Sequence, residues 1–299
     1  MPKPQSAANA VAAAAPAIFV LFWSTGFVGA KYGLPFAEPF TLLTMRMALT
    51  LALLAPFALA AGLLRADRGA ILNAAFAGVL LHTIYLGGIF LAIDRGMPAG
   101  VSALVIALQP MLTAVAANRM LGERLDRIQI AALLAGIAGV GLVLAPKLGG
   151  GVSEGFDPLN LAAITISVIG FSIGAVWQKK HASGIDIRIS VFAQYLGALL
   201  PLAALSLMLE TRRIDWTPQF VLALAWLVLV LSIGANGLLA FLIARNSAAR
   251  TAALFYLVPA VTAVLAWLLF GETLSPIQFV GMGVTIVAVA VATRPVRAK

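Results

Sequence analysis

Residues 119–129 read RMLGERLDRIQ, and residues 268–278 read LLFGETLSPIQ. The Gly-Glu pair, the leucine after it and the Ile-Gln return at one spacing, while Arg119, Arg124 and Arg127 become Leu268, Thr273 and Pro276. Working outward, residues 110–144 lie over 259–293 without a gap at an offset of 149, and twelve of the thirty-five pairs are identical. They include Pro110 with Pro259, Thr113 with Thr262, Glu123 with Glu272 and Gln129 with Gln278. Apolar helices match by chance at Leu and Ala, but not readily at Pro, Gly, Glu and Gln in one register. Upstream, Ser102 faces Thr251, and in a weaker match Gly29-Ala30 faces Gly174-Ala175. The chain therefore reads as two halves, 1–149 and 150–299, joined at the Gly-rich stretch 149–151.

Composition decides what kind of halves these are. The 299 residues are 62% hydrophobic and only 10% charged, with a mean hydropathy of +1.03. A soluble domain carries about 25% charged residues, so this chain could not cover its surface in water. Apolar runs of roughly 20 residues span a bilayer as helices, whereas membrane barrel strands alternate apolar and polar residues. The runs here are continuous, which predicts an all-α membrane protein. Ten spans lie near 12–31, 39–62, 70–93, 97–117, 127–145, 158–178, 188–209, 218–243, 249–270 and 276–293. Each half holds five, an odd number, so the second half enters the membrane upside down as an inverted repeat.

The net charge of +9 does not point to nucleic acid, because the basic residues sit in short groups between apolar runs and so orient the helices. With the N-terminus inside, the inner connections hold Lys3, Arg65, Arg68, Arg119, Arg124, Arg127, Lys179, Lys180, Arg188, Arg245, Arg250, Arg294, Arg297 and Lys299. The outer ones hold Lys31, Arg95, Lys147, Arg212 and Arg213, which predicts that both termini are cytoplasmic. The first apolar run is too long for a signal peptide and is expected to be retained. Without cysteine, disulfides and thiolate metal sites are excluded, and no cofactor or metal is expected. Glu123 and Glu272 read as structural turn and helix-start residues.

The ten spans, LGERLDRIQ closing the fourth and FGETLSPIQ closing the ninth, WSTGFVGAK in the first and RMAL in the second resemble the EamA-type drug/metabolite transporter superfamily. Within it the chain is most similar to the bacterial aromatic amino acid exporters of the YddG type. The resemblance implies export of amino acids and related metabolites across the inner membrane of a bacterium. A multidrug or other metabolite efflux carrier is the alternative. Arg46 is the one basic residue well inside a span; snorkelling, a carbonyl partner and a substrate carboxylate all fit it, and the resemblance favours a structural role.

Candidate site residues follow from polarity at bilayer depth, which is expensive and marks cavities or partners. His82 and Tyr85 share a face of the third span, Gln109 lies in the fourth, Gln194 in the seventh, Asn236 in the eighth, and Ser24 with Thr25 in the first. Trp177, Phe171 and Tyr256 are expected to add an aromatic wall, with space left beside Trp177 by the stripe Ser167, Gly170 and Gly174. Pro110 and Pro259 break matched helices by releasing the carbonyls of Ile106 and Phe255, a break that fits either a static kink or a pair of hinges. All 11 acidic residues lie in connections or near span ends, so a carboxylate proton relay is not expected. An intramembrane enzyme would need an Asp-rich, zinc-binding or paired nucleophile-base motif, and none is present. The expected partners are a small-molecule substrate and the bilayer, with the chain working as a monomer or weak homodimer.

Overall fold

Prolines and short polar caps set where the helices begin. The computed structural model describes residues 4–97, 105–148, 157–182, 184–270 and 275–294. Its helices are α1 (4–33, broken at Thr25), α2 (Pro39–Ala60), α3 (Arg68–Asp94), α4 (Gln109–Leu121), α5 (Arg127–Leu148), α6 (Pro158–His181), α7 (Ile187–Leu209), α8 (Pro218–Arg245), α9 (248–270) and α10 (Pro276–Ala292). Proline occupies the first turn of α2, α6, α8 and α10, where its missing N–H has no helical partner to lose. Side chains of Asp67, Asp157, Asp186, Thr217 and Ser247 accept first-turn N–H groups, each stabilising its helix by about 1 kcal/mol. Leu200, Leu222 and Val287 are exposed on their helices, as a lipid-facing surface requires. Seven helices of the described residues are long and apolar enough to cross a membrane, and shorter apolar helices stand at 14–24 and 276–292.

The repeated motif resolves into three devices. Gly122 adopts a left-handed conformation (φ 69°); its N–H bonds Asn118 O and the Glu123 N–H bonds Ala117 O, a glycine stop for α4. Asp126 and Gln129 then bond each other's backbone N–H groups at 2.7 and 3.2 Å, the reciprocal cap of a helix start. Ser275 and Gln278 repeat that cap at α10. Glu123 is the third device, and its carboxylate does not serve the helix that follows, as the sequence suggested. Asp126 does that, and Glu123 reaches the start of α9 instead. Glu272 and Gly271 lie outside the described residues.

Gln129 and Gln278 show that the halves are inverted. Gln129 donates to Ala292 O at 3.4 Å, and Gln278 donates to Val143 O at 3.2 Å. Ala292 repeats Val143 at the same offset of 149 that relates the two glutamines. The start of each helix thus bonds the end of the other, so α5 and α10 run antiparallel about a local two-fold. They approach closely enough that a Cβ on Gly281 would stand 2.7 Å from Gly139 O.

The same symmetry appears in two cross-braces. Ser24 Oγ donates to Val258 O at 3.4 Å and Thr262 Oγ1 to Ser24 O at 3.3 Å. Ser172 Oγ donates to Gln109 O at 3.3 Å and Thr113 Oγ1 to Ser172 Oγ at 3.1 Å. Ser24 therefore pairs with Ser172, 148 residues on, which places Gly26 on Gly174 and corrects the sequence match of Gly29 with Gly174. Regular helix is also interrupted twice over in matching places. π segments occupy Val79–Ile84 in α3 and Leu227–Ala235 in α8. A turn at 107–108 precedes Pro110, and a 3₁₀ turn at Leu254–Tyr256 precedes Pro259.

Candidate functional site

A π segment widens a helix by one residue and re-aims the side chains beside it. In α3 this turns His82, 3% exposed, onto Tyr195 of α7, with the rings stacked at 4.5 Å. The Tyr195 hydroxyl donates to Ser232 O at 3.1 Å, inside the π segment of α8, and Arg46 Nε donates to Ser232 Oγ at 2.7 Å. Arg46 thus points inward to this level instead of snorkelling to the helix start.

These residues border a cavity between the helices. Its walls are Trp23, Gly26 and Ala30 of α1, Arg46, the α3 face from Leu81 and His82 through Tyr85 to Ile93, Tyr195, and Leu231 with Asn236 of α8. Behind Tyr85 and Trp23 stands Phe171, 4.7 and 6.2 Å from their ring centres and 5.1 Å from that of Phe255. The lining is mostly apolar with a few polar groups, the usual make-up of a small-molecule site. His82 Nε2 and Asn236 Nδ2 are buried without a hydrogen-bond partner among the described residues.

The cavity follows α3 almost to its last residue and α1 to Ala30, toward one end of the bundle. At that end Glu210 accepts from Phe40 N and Thr41 N, both at 2.7 Å, across the start of α2. Arg95 bonds Asp157 at 2.9 Å and Asn160 at 3.0 Å; the guanidinium beside Asp157 holds its carboxyl below the usual carboxylate range. The other end gathers the ends of α4, α6 and α8 with the starts of α5, α7 and α9, and carries most of the described basic residues. There Glu123 Oε1 accepts from Ala248 N at 3.2 Å and lies 3.3 Å from Lys179 Nζ, which also donates to Asn246 O. Beneath this cluster Ala117, Val176 and Ala248 are packed and buried. These contacts tie α4, α6, α8 and α9 to one another at the basic end.

The expected site residues divide accordingly. His82, Tyr85 and Asn236 line the cavity. Gln194 is wholly buried on α7 beside Tyr195, with neither amide atom bonded among the described residues. Gln109 is likewise buried and unbonded through its amide, but it lies at the α4–α6 crossing rather than in the cavity wall. Trp177 packs on Phe76 and His181, with centroids at 5.0 and 4.4 Å. The stripe expected to leave room beside it is filled: a Cβ at Gly170 or Gly174 would meet Ile84 or Leu80 within 2.8 Å, and Ser167 Oγ bonds Ile84 O. Tyr256 lies over Gly136 of α5. Ser24 is a brace, and Thr25 accepts from Trp226 Nε1 at 2.9 Å on an outward groove. Tyr195 and Trp23 are not among the expected site residues, although Tyr195, Ala198 and Leu202 fall on one helical face.

The EamA-like transporter family matches residues 11–145 and again residues 159–294. The "Probable amino-acid metabolite efflux pump" of Salmonella typhimurium is 30% identical over 277 residues, 88% of each chain. The "Uncharacterized inner membrane transporter YedA" of Escherichia coli K12 is 28% identical over 284 residues, 93% of this chain and 88% of that one. The "Probable terminal-alkyne amino-acid exporter" of Streptantibioticus cattleyicolor is 26% identical over 200 residues, 66% of this chain and 65% of that one. A solved structure described as "Crystal structure of protein" superposes with a TM-score of 0.74 at 22% identity, over 93% of this chain and 95% of the other, a likeness of fold.

Proposed function

The chain belongs to the EamA-like transporter family, and from that premise we propose that it exports amino acids, aromatic or otherwise neutral, and related small metabolites by alternating access. It works in the inner membrane of a bacterium. The halves 1–149 and 150–299 rock about the site, and the basic end faces the cytoplasm together with both termini. The observation that carries the reading is the cavity itself. Walled by Trp23, Tyr85 and Phe90 with His82 and Asn236 among them, it lies toward the end opposite the Glu123–Lys179 pair. The names borne by the relatives support amino-acid-like cargo. With the basic end inside, the cavity is open outward and the Glu123 cluster is the closed inner gate. Substrate moves down its own gradient or with weak coupling, because all 11 acidic residues of the sequence lie in connections or near span ends.

Proteoliposomes loaded with phenylalanine are expected to show saturable counterflow of labelled phenylalanine. His82→Ala and Asn236→Ala should each raise the half-saturating concentration at least fivefold, and Trp267→Ala, exposed on the lipid side, should leave it unchanged. Transport of cationic drugs without any neutral amino acid would replace this reading with multidrug efflux, and flux that never saturates would make the protein a channel.

The irregular turns before Pro110 and Pro259 are the places where α4 and α9 can bend. Pro110→Ala and Pro259→Ala are each expected to slow counterflow severalfold and to shift probe access to the two ends in opposite directions. Unchanged transport with unchanged access from both sides would remove the hinges.

A further inference from the structure

Arg46 brings a charge to the cavity and no acid answers it. Its side chain is 5% exposed, on the eighth residue of α2, about 10 Å along the helix from its start. Nε is spent on Ser232 Oγ, and the Tyr195 hydroxyl lies beside the guanidinium. No ion pair to a carboxylate is formed among the described residues. The sequence explains why. Residues 4–33, 39–60, 68–94, 187–209 and 218–245, the helices that wall the cavity, contain a single acidic residue, Asp94, which is the last of α3 and forms no ion pair with Arg46. A guanidinium at membrane depth is costly unless something shares its charge, and its planar fork matches a carboxylate bidentately.

We propose that Arg46 is the carboxylate anchor of the cavity, so that the site selects substrates by their carboxylate and not by their ammonium group. This rests on the amino-acid reading of the same cavity and sharpens it. Asn236 Nδ2, buried and without a bond of its own, is the second donor to the anion. Tyr195 and Ser232 hold the guanidinium in place from behind. The aromatic wall takes the side chain. A substrate ammonium finds only neutral acceptors here, such as the amide oxygen of Asn236. Acids that lack it, including deaminated and N-acylated forms of amino acids, are therefore accepted as well as the amino acids themselves.

The test uses the wild-type protein and a ligand series that takes the two ends apart. In detergent, 3-phenylpropionate and N-acetylphenylalanine are expected to raise the melting temperature at concentrations within threefold of those needed for phenylalanine. L-Phenylalaninamide and phenethylamine, which keep the amine and lose the carboxylate, should require at least ten times more. The same ranking is expected for inhibition of phenylalanine counterflow. Arg46→Gln should weaken the acids at least tenfold and abolish the ranking, while Arg46→Lys, which keeps the charge and loses the fork, falls between. Equal stabilisation by acids and amines in the wild type overturns the anchor, whether or not the Arg46 variants fold. Acid-selective stabilisation without any counterflow would sustain the anchor and sink the carrier reading alone.

Discussion

Gly78→Ala and Gly197→Ala are each expected to remove most of the folded protein, although each adds a single methyl group. A Cβ on Gly78 would stand 1.9 Å from the Gln194 carbonyl oxygen, and one on Gly197 would stand 2.1 Å from the Ala75 carbonyl oxygen. In both cases the obstacle is backbone, so no side-chain rotation relieves it and α3 must move away from α7. Overpacking a closed interface costs about 1–3 kcal/mol and more where nothing yields, and here two helix axes would have to part. By the scaling for globular domains, 3 kcal/mol lowers the melting temperature by roughly 6–12 °C. The site suffers first, because Gln194 and Tyr195 are carried by the displaced turn of α7 and Tyr195 would lose its stacking on His82. Gly141→Ala is the control. It has nothing within 4 Å of the added methyl, and exchanging a helical glycine for alanine stabilises by about 1 kcal/mol. Thermal melting in detergent with size-exclusion profiles reads all three. Gly78→Ala and Gly197→Ala that are monodisperse and melt with the wild type would mean that α3 and α7 are not in backbone contact.

That contact was invisible in the sequence, where Gly78 and Gly197 are two among 27 glycines. What could be read was whatever leaves a mark in residue type at fixed spacing. The ten spans and their inversion follow from apolar runs and from the pairing of Pro110, Glu123 and Gln129 with Pro259, Glu272 and Gln278. The two π segments left almost no mark, although VLLHTI at 79–84 and VLVLSI at 228–233 repeat at the same offset. An apolar run reads as a regular helix unless a proline or glycine interrupts it. The cavity depends on those segments, since they decide which side chains of α3 and α8 turn inward. His82, Tyr85 and Asn236 could be chosen by polarity alone. Trp177 and Tyr256 could not be judged that way, because an aromatic ring facing a neighbouring helix and one facing a cavity look alike in a sequence. Ser24 misled for a related reason: a hydroxyl at bilayer depth more often bonds a backbone carbonyl, and here it braces α1 against α9.

Under the proposed alternating access, Glu123→Ala is expected to open the basic end and close the other. One carboxylate oxygen of Glu123 holds the first N–H of α9 and lies beside Lys179, whose ammonium also reaches the last turn of α8 through Asn246 O. The ends of α4, α6, α8 and α9 are thereby tied at a single point, and any inward opening must separate them. Hydrogen bonds to charged groups are worth about 1.5–3 kcal/mol, and more exposed ion pairs less. Losing this cluster should therefore shift the equilibrium by about 1–2 kcal/mol, roughly five- to thirtyfold in population. The absence of cysteine makes thiol labelling a clean readout. Ala117→Cys sits buried under the cluster, and Ile93→Cys sits on the cavity wall near the opposite end. With a membrane-impermeant reagent, Glu123→Ala should raise labelling of position 117 from the basic side five- to thirtyfold and lower labelling of position 93 from the other. The reciprocity is what matters, because loosening or partial unfolding would raise both. The repeat supplies a second arm. Glu272 stands where Glu123 recurs, and Lys31 follows Ser24 at the distance at which Lys179 follows Ser172. If one latch serves each end, Glu272→Ala must move the two labelling rates in the opposite sense to Glu123→Ala. Rates that rise together in Glu123→Ala, or that move the same way in both variants, would show that these acids only staple the fold and do not divide the two states between them.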